Sequence, residues 1–137
     1  MTDLEALQAA LQAEYEVVYG YGVVGAHLSG RAETYASDRL IAHMERRDKL
    51  SAMITALGAT PVVSRAAYQL PYRVTGRVTA RRLAAHLELG AANAAWDLAA
   101  ATSGRSSGRA FAVSWISDAA LSAALWGGSQ ALPGQPV

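Results

Sequence analysis

The stretch AEYEVVYGYGVVG, residues 13–25, sets a carboxylate in line with leucines and valines and then places three glycines within six positions. Upstream of it Leu4, Leu7 and Leu11 are spaced by three and four; downstream Val18, Tyr21, Gly25 and Leu28 carry the same alternation on. The pattern is continuous only if Glu14 is counted as a member. Residues three and four apart share one face of a helix, so this is a heptad-like seam of a bundle helix. Thr2-x-x-Glu5 is a capping box that opens it. The helix is expected over 3–28, about 40 Å long.

Working outward, Ser29-Gly30-Arg31 is a short break. A second helix is expected over 32–57, with Ala36, Leu40, His43, Arg47, Leu50, Ile54 and Leu57 as its seam. Gly58 is its stop, with Pro61 just beyond. Residues 59–76 hold two prolines, no acid and no strong period. A third helix over 77–102 turns Leu83, Leu87, Ala94 and Leu98 to the core. TSGRSSG is a turn cluster. The fourth helix, 107–126, has Phe111, Ser114, Asp118, Leu121 and Leu125 in its seam, with Trp115 beside it. Gly127-Gly128 ends it, and 128–137 reads as an irregular tail. The whole chain, 1–137, is one domain.

Connection lengths set the topology. Short links make each outer pair an antiparallel hairpin. The middle link, if extended, spans up to about 65 Å, enough to run the length of the bundle. Its natural use is to return the chain so that the third helix runs parallel to the second. The fold class expected is all-α, a ferritin-like four-helix bundle of two hairpins joined by a long crossover. An up-down bundle with a wandering loop is the alternative.

Composition removes several functions. Of 137 residues 52% are hydrophobic and 17% charged, which fits a globular chain. There is no cysteine, so disulfides, thiolate metal sites and cysteine nucleophiles are excluded, and a reducing cytoplasm fits. The acidic, amphipathic start is the wrong design for a signal peptide. No uninterrupted run of about 18 apolar residues occurs, so no membrane partner is expected. The net charge of +1 points to no polyanion, and nucleic acid is not an expected partner.

Glu14 has company at mid-bundle depth. His43 and Arg47 interrupt the second seam, Asp118 the fourth, and Glu88 flanks Leu87 on the third. Two readings compete. A dimetal bundle site needs a Glu from each of two helices and Glu-x-x-His from each of the other two. If a metal binds, its ligands are Glu14, His43, Glu88 and Asp118. Yet the residues three before His27, His43 and His86 are Val24, Leu40 and Leu83, so no Glu-x-x-His exists. Arg47 would also put a permanent cation where a metal needs negative charge. The favoured reading is a cofactor-free cluster of Glu14, His43, Arg47, Glu88 and Asp118, with Arg47 forked between carboxylates.

AEYEVVYGYGVVG, HMERRDKL, ALGATPV, QLPYRVT and the terminal DAALSAALWGG together resemble an actinobacterial family of uncharacterised ferritin-like domains. The resemblance covers nearly the whole chain. Tyr-Gly-Tyr-Gly and His-x-x-Arg-Arg-Asp are its most specific parts. It implies the ferritin-like fold and a homodimer, and it implies no activity. Both Glu-x-x-His positions of ferritin and rubrerythrin chains are missing here, which argues against iron oxidation.

Other features carry weaker signals. Gly20, Gly22 and Gly25 each cost a helix interior about 1 kcal/mol against alanine, so close packing or a dimer contact is expected there. Tyr15, Tyr19 and Tyr21 read as core or interface residues whose hydroxyls find partners at the edge. From Lys49 to Leu87 there is no acid, while Arg65, Arg73, Arg77, Arg81 and Arg82 are present. Arg73, Arg77, Arg81 and Arg82 form a possible anion surface, against the plainer reading of a solvated or interface-paired stretch. No Gly-x-Ser-x-Gly elbow is expected, and no Gly-rich phosphate loop follows a strand. The functions left are a structural or interaction module, a metal-binding oxidase or iron-handling protein, and an anionic-ligand binder. Enzymatic activity is not the favoured one.

Overall fold

The computed structural model describes residues 1–102 and 107–127, Ser107 by its backbone alone, and holds four helices: α1 Asp3–Gly25, α2 Gly30–Ala56, α3 Arg77–Ala101 and α4 Ser107–Gly127. Among the described residues there is no strand. Local signals fix the ends. Thr2 Oγ1 accepts from the Glu5 amide at 3.1 Å while Glu5 accepts from the Thr2 amide at 2.9 Å, completing the capping box. Gly58, just past α2, takes a left-handed φ of +80° that an L side chain resists. Thr79 Oγ1 accepts from the amides of Thr75 and Gly76 to open α3. The first helix ends three residues before its expected limit of Leu28, which is nonetheless buried. The expected tail, with Gly128, and most of the third turn lie outside the described residues.

Two apolar clusters lie along the bundle. In one, Val17, Tyr21 and Val24 meet Leu83, Leu87 and Trp126. In the other, Leu7 and Leu11 meet Leu50, Ile54, Leu98 and Trp115. Residue numbers rise together on α2 and α3 between these clusters and fall on α1. So α2 and α3 run parallel, and each is antiparallel to α1. Arg81 reaches the Leu125 carbonyl while Arg109 reaches the Ala99 carbonyl, so α4 is antiparallel to α3. The connectivity is two hairpins and a crossover.

Side chains of α1 guide that crossover. Gln8 donates to the Thr60 carbonyl and accepts from the Val62 amide, both at 2.8 Å. Tyr15 then donates to the Val62 carbonyl at 2.9 Å, and Tyr19 meets Tyr68 edge-on. Leu70, Tyr72 and Val74 complete the path by packing on the first cluster.

Several expectations of facing need correction. On α4, Leu121 and Leu125 are 62% and 52% exposed, while Ala112, Trp115, Ala119, Ser122, Ala123 and Trp126 are buried. The helix is apolar nearly all round, so its period could not choose a face; the close approach of α3 selects alanines. Gly108–Gly127 is long and apolar enough to cross a membrane by length and composition, and about a third of it is buried in the bundle. Leu57, assigned to the α2 seam, is exposed. Of the three glycines, only Gly20 lies at a close approach: a Cβ there would meet Leu87 Cδ1 at 2.5 Å. Nothing lies within 4 Å of one at Gly22 or Gly25.

Candidate functional site

Between the apolar clusters the four helices bring charged groups together. His43 Nδ1 stands 2.5 Å from Glu14 Oε2, and its Nε2 stands 2.5 Å from Glu88 Oε1. Arg39 Nε donates to Glu88 Oε2 at 2.5 Å and its Nη2 to Oε1 at 3.1 Å, a two-pronged grip on one carboxylate. The same guanidinium extends Nη1 to Asp118 at 2.9 Å, where Arg46 also donates. Tyr21 donates to Glu88 Oε2 at 2.9 Å and accepts from Trp126 Nε1 at 2.8 Å. Glu14, His43, Glu88 and Asp118 thus fall in one network, with α1, α2, α3 and α4 each supplying one of them.

Arg47 does not join it. It is half-buried beside Asp48, with Nε donating to that carboxylate at 2.9 Å. The α2 seam runs Ala36, Arg39, His43, Arg46, Leu50, and not through Leu40 and Arg47. Both phases alternate three and four from His43, and both offer an arginine. A one-residue rotation separates them: the observed phase sets two guanidiniums against Glu88 and Asp118, where the other would offer Arg47 alone. Sequence reasoning therefore missed Arg39, Arg46 and Trp126. Arg39 at four before His43 and Arg46 at three after it were the available signal.

Charge bookkeeping explains how such a layer survives burial. Three carboxylates face two guanidiniums, and a protonated His43 closes the balance at zero. Burial opposes charge on His43, but hydrogen bonds to Glu14 and Glu88, and the charges behind them, outweigh it and raise its pKa. Burial likewise opposes charge on Glu88, yet bonds from His43 and Arg39 bring it down to about 2. Asp118 moves down under Arg39 and Arg46, against the pull of its own burial. Burial and the Glu88 charge push the Tyr21 phenol up, so it stays a donor. The layer is wettest at α4, where the Asp118 side chain is 46% exposed. His43 and Glu88 expose nothing, so no substrate reaches them without opening the bundle.

One donor of the network is unsatisfied. Arg46 Nη1 is buried without a hydrogen-bond partner, while the guanidinium lies 5.3 Å from the centre of the Trp115 ring. The face of the indole takes part of that charge.

The remaining candidates lie elsewhere. Arg73, Arg77 and Arg82 are exposed on the crossover and the start of α3, and Arg81 is half-buried over the Trp126 ring. Among the described residues none of the four meets a carboxylate. His27 is exposed, its ring bonded to the Val23 carbonyl, and His86 is exposed. Gly104-Arg105-Ser106-Ser107-Gly108 matches a Gly-x-Ser-x-Gly string letter by letter. The element before it is the helix α3 and not the strand that a nucleophile elbow requires, and residues 103–106 lie outside the described ones.

Comparison with known proteins adds a family and a shape. Residues 6–137 match the model of a family described as a domain of unknown function, DUF4439. The structure is similar to the crystal structure of a conserved hypothetical protein, rv2844, from Mycobacterium tuberculosis. The two share 33% sequence identity at a TM-score of 0.86, over 91% of this chain and 94% of that one. No curated protein shows significant similarity to the chain.

Proposed function

The chain belongs to the domain-of-unknown-function family DUF4439, and from that premise we propose that it is a structural or interaction module. On this reading it is a ferritin-like bundle in which a metal-free ion cluster fills the place of a metal centre. The absence of cysteine fits work in a reducing cytoplasm.

The observation that carries the reading is that the inward groups of His43 and Glu88 are already held by protein partners. Both ring nitrogens of His43 are held by carboxylates, and both oxygens of Glu88 are held by Arg39, Tyr21 or His43. A metal ligated by His43 would break one of these bonds and sit beside Arg39 Nη2, which lies 3.4 Å from His43 Nε2. A fixed guanidinium repels an incoming cation and cannot release its proton to make way. Among the described residues no three carboxylate or imidazole groups are disposed to hold an ion.

Elemental analysis tests the reading. Protein purified without chelator should carry iron, manganese and zinc far below one ion per chain. A stoichiometric metal removed by Glu88→Gln would replace this reading with an iron-handling or oxidase one.

A further inference from the structure

We infer that the outer face of the α3/α4 hairpin is where a second copy of this chain docks, about a two-fold axis. The inference deepens the interaction half of the reading above and is independent of the ion cluster. On α3, Val78, Leu89 and Trp96 are 66%, 54% and 63% exposed, and their spacings keep them on one stripe beside α4. On α4, Val113, Ala120 and Ala124 follow at seven and four residues and are exposed or half-buried. From Ala110 to Gly127 the one ionisable side chain is Asp118, whose carboxylate accepts from Arg39 and Arg46. That length of α4 therefore brings no uncompensated charge to a copy of itself.

Shape and size agree with a self-complementary contact. The long side chains of α3 form a ridge, and the alanines of α4 leave a trough next to it. A two-fold rotation lays the ridge of each copy in the trough of the other, as an isologous interface requires. Helices of 25 and 21 residues, side by side, offer a flat footprint of roughly 600 Å². Side-chain relief brings that toward the ~800 Å² per partner of a stable interface, with Trp96 as an aromatic anchor. A bilayer suits the composition of α4 but not its neighbour. Asn93 and Asp97 are exposed next to Trp96, where they would enter lipid; at the rim of a dimer they stay wet.

The bonds Arg109–Ala99 and Arg81–Leu125 set the hairpin register and put Leu89 level with the turn that holds Ala120, at mid-face. A two-fold axis passes near that point. The chain has no cysteine, so single cysteines report on it cleanly. Under mild oxidation at about 20 µM, a concentration suited to a standard interface, an equal mixture of Leu89→Cys and Ala120→Cys chains should form disulfide dimers, since ridge and trough face each other across the axis, while Gly22→Cys, on α1, should not. Sedimentation should give the wild type twice 14.4 kDa. Ala120→Glu and Trp96→Glu should give monomers with unchanged helical circular dichroism. A monomeric wild type would overturn the inference and leave the metal result above untouched. Faster cross-linking at Gly22→Cys would move the interface to α1. Wild type that pellets with phosphatidylcholine vesicles and forms no dimer would replace the copy with a membrane.

Discussion

His43 and Glu88 meet at 2.5 Å in the middle of the bundle, and neither exposes any surface to solvent. A contact of that kind stabilises only while both partners stay ionised, because either charge alone is left in a medium that cannot solvate it. The neutral sum of the layer is thus a condition of folding. It also makes stability depend on pH from two sides.

The signs are opposite for the two groups. Glu88 falls from an ordinary 4.5 to about 2 on folding. Its contribution is therefore present above 4.5 and is lost as pH falls toward 2; the shift corresponds to about 3 kcal/mol. His43 is raised above its ordinary 6.5 on folding, so its contribution is present below 6.5 and is lost as pH rises through the higher folded value. Urea midpoints should peak at about pH 5–6 and decline on both flanks. Glu88→Gln should flatten the acid flank. Stability that climbs steadily to pH 9 would mean that His43 is neutral in the folded state.

Two arginines one residue apart should behave differently. Arg46→Met strands Asp118 with one partner fewer, while Arg47→Met removes a pair with Asp48 at the surface. Arg47→Met should change stability by no more than about 0.5 kcal/mol. Glu14→Leu and His43→Leu should each lose about 3–5 kcal/mol, as expected for a buried ion left alone. The double mutant should lose clearly less than their sum. Additive losses in urea denaturation would remove the Glu14–His43 pair from the account.

Gly20 and Gly22 offer a contrast within one helix. A Cβ at Gly20 meets Leu87, whereas one at Gly22 meets nothing. Gly20→Ala should lower the thermal midpoint, with an overpacking cost of about 1–3 kcal/mol. Gly22→Ala should raise it, by up to about 1 kcal/mol, through helix propensity. Equal effects at the two positions would contradict the close approach of α1 to α3.

The sequence was most legible where a local rule had one solution. Thr2 and Glu5 marked the start of α1, Gly58 the end of α2, and the unequal connection lengths marked the crossover. Glu14 and His43 stood out because a charged group in an apolar seam needs a partner. The seam phase of α2 was not legible, since Leu40 with Arg47 and Arg39 with Arg46 flank His43 at equivalent helical offsets. Only Glu88 and Asp118, arriving from α3 and α4, break that tie. Nor was the buried face of α4 legible: alanine, leucine and tryptophan occur on every side, and the choice is made by how near α3 comes. The indole N–H of Trp126 joins the cluster through Tyr21, a role that its spacing along α4 does not signal.

The central claim, that protein cations do the work of a metal in this layer, is tested most directly by thermal unfolding with added metal. Chelator-stripped protein should melt at one temperature whether iron(II), manganese(II), zinc(II) or none is present. Binding to the native state alone would raise the midpoint with concentration, by about 2.7 kcal/mol of stability at a hundredfold excess over Kd. A rise of that kind in the wild type, absent from Glu14→Leu and Glu88→Gln, would contradict the account.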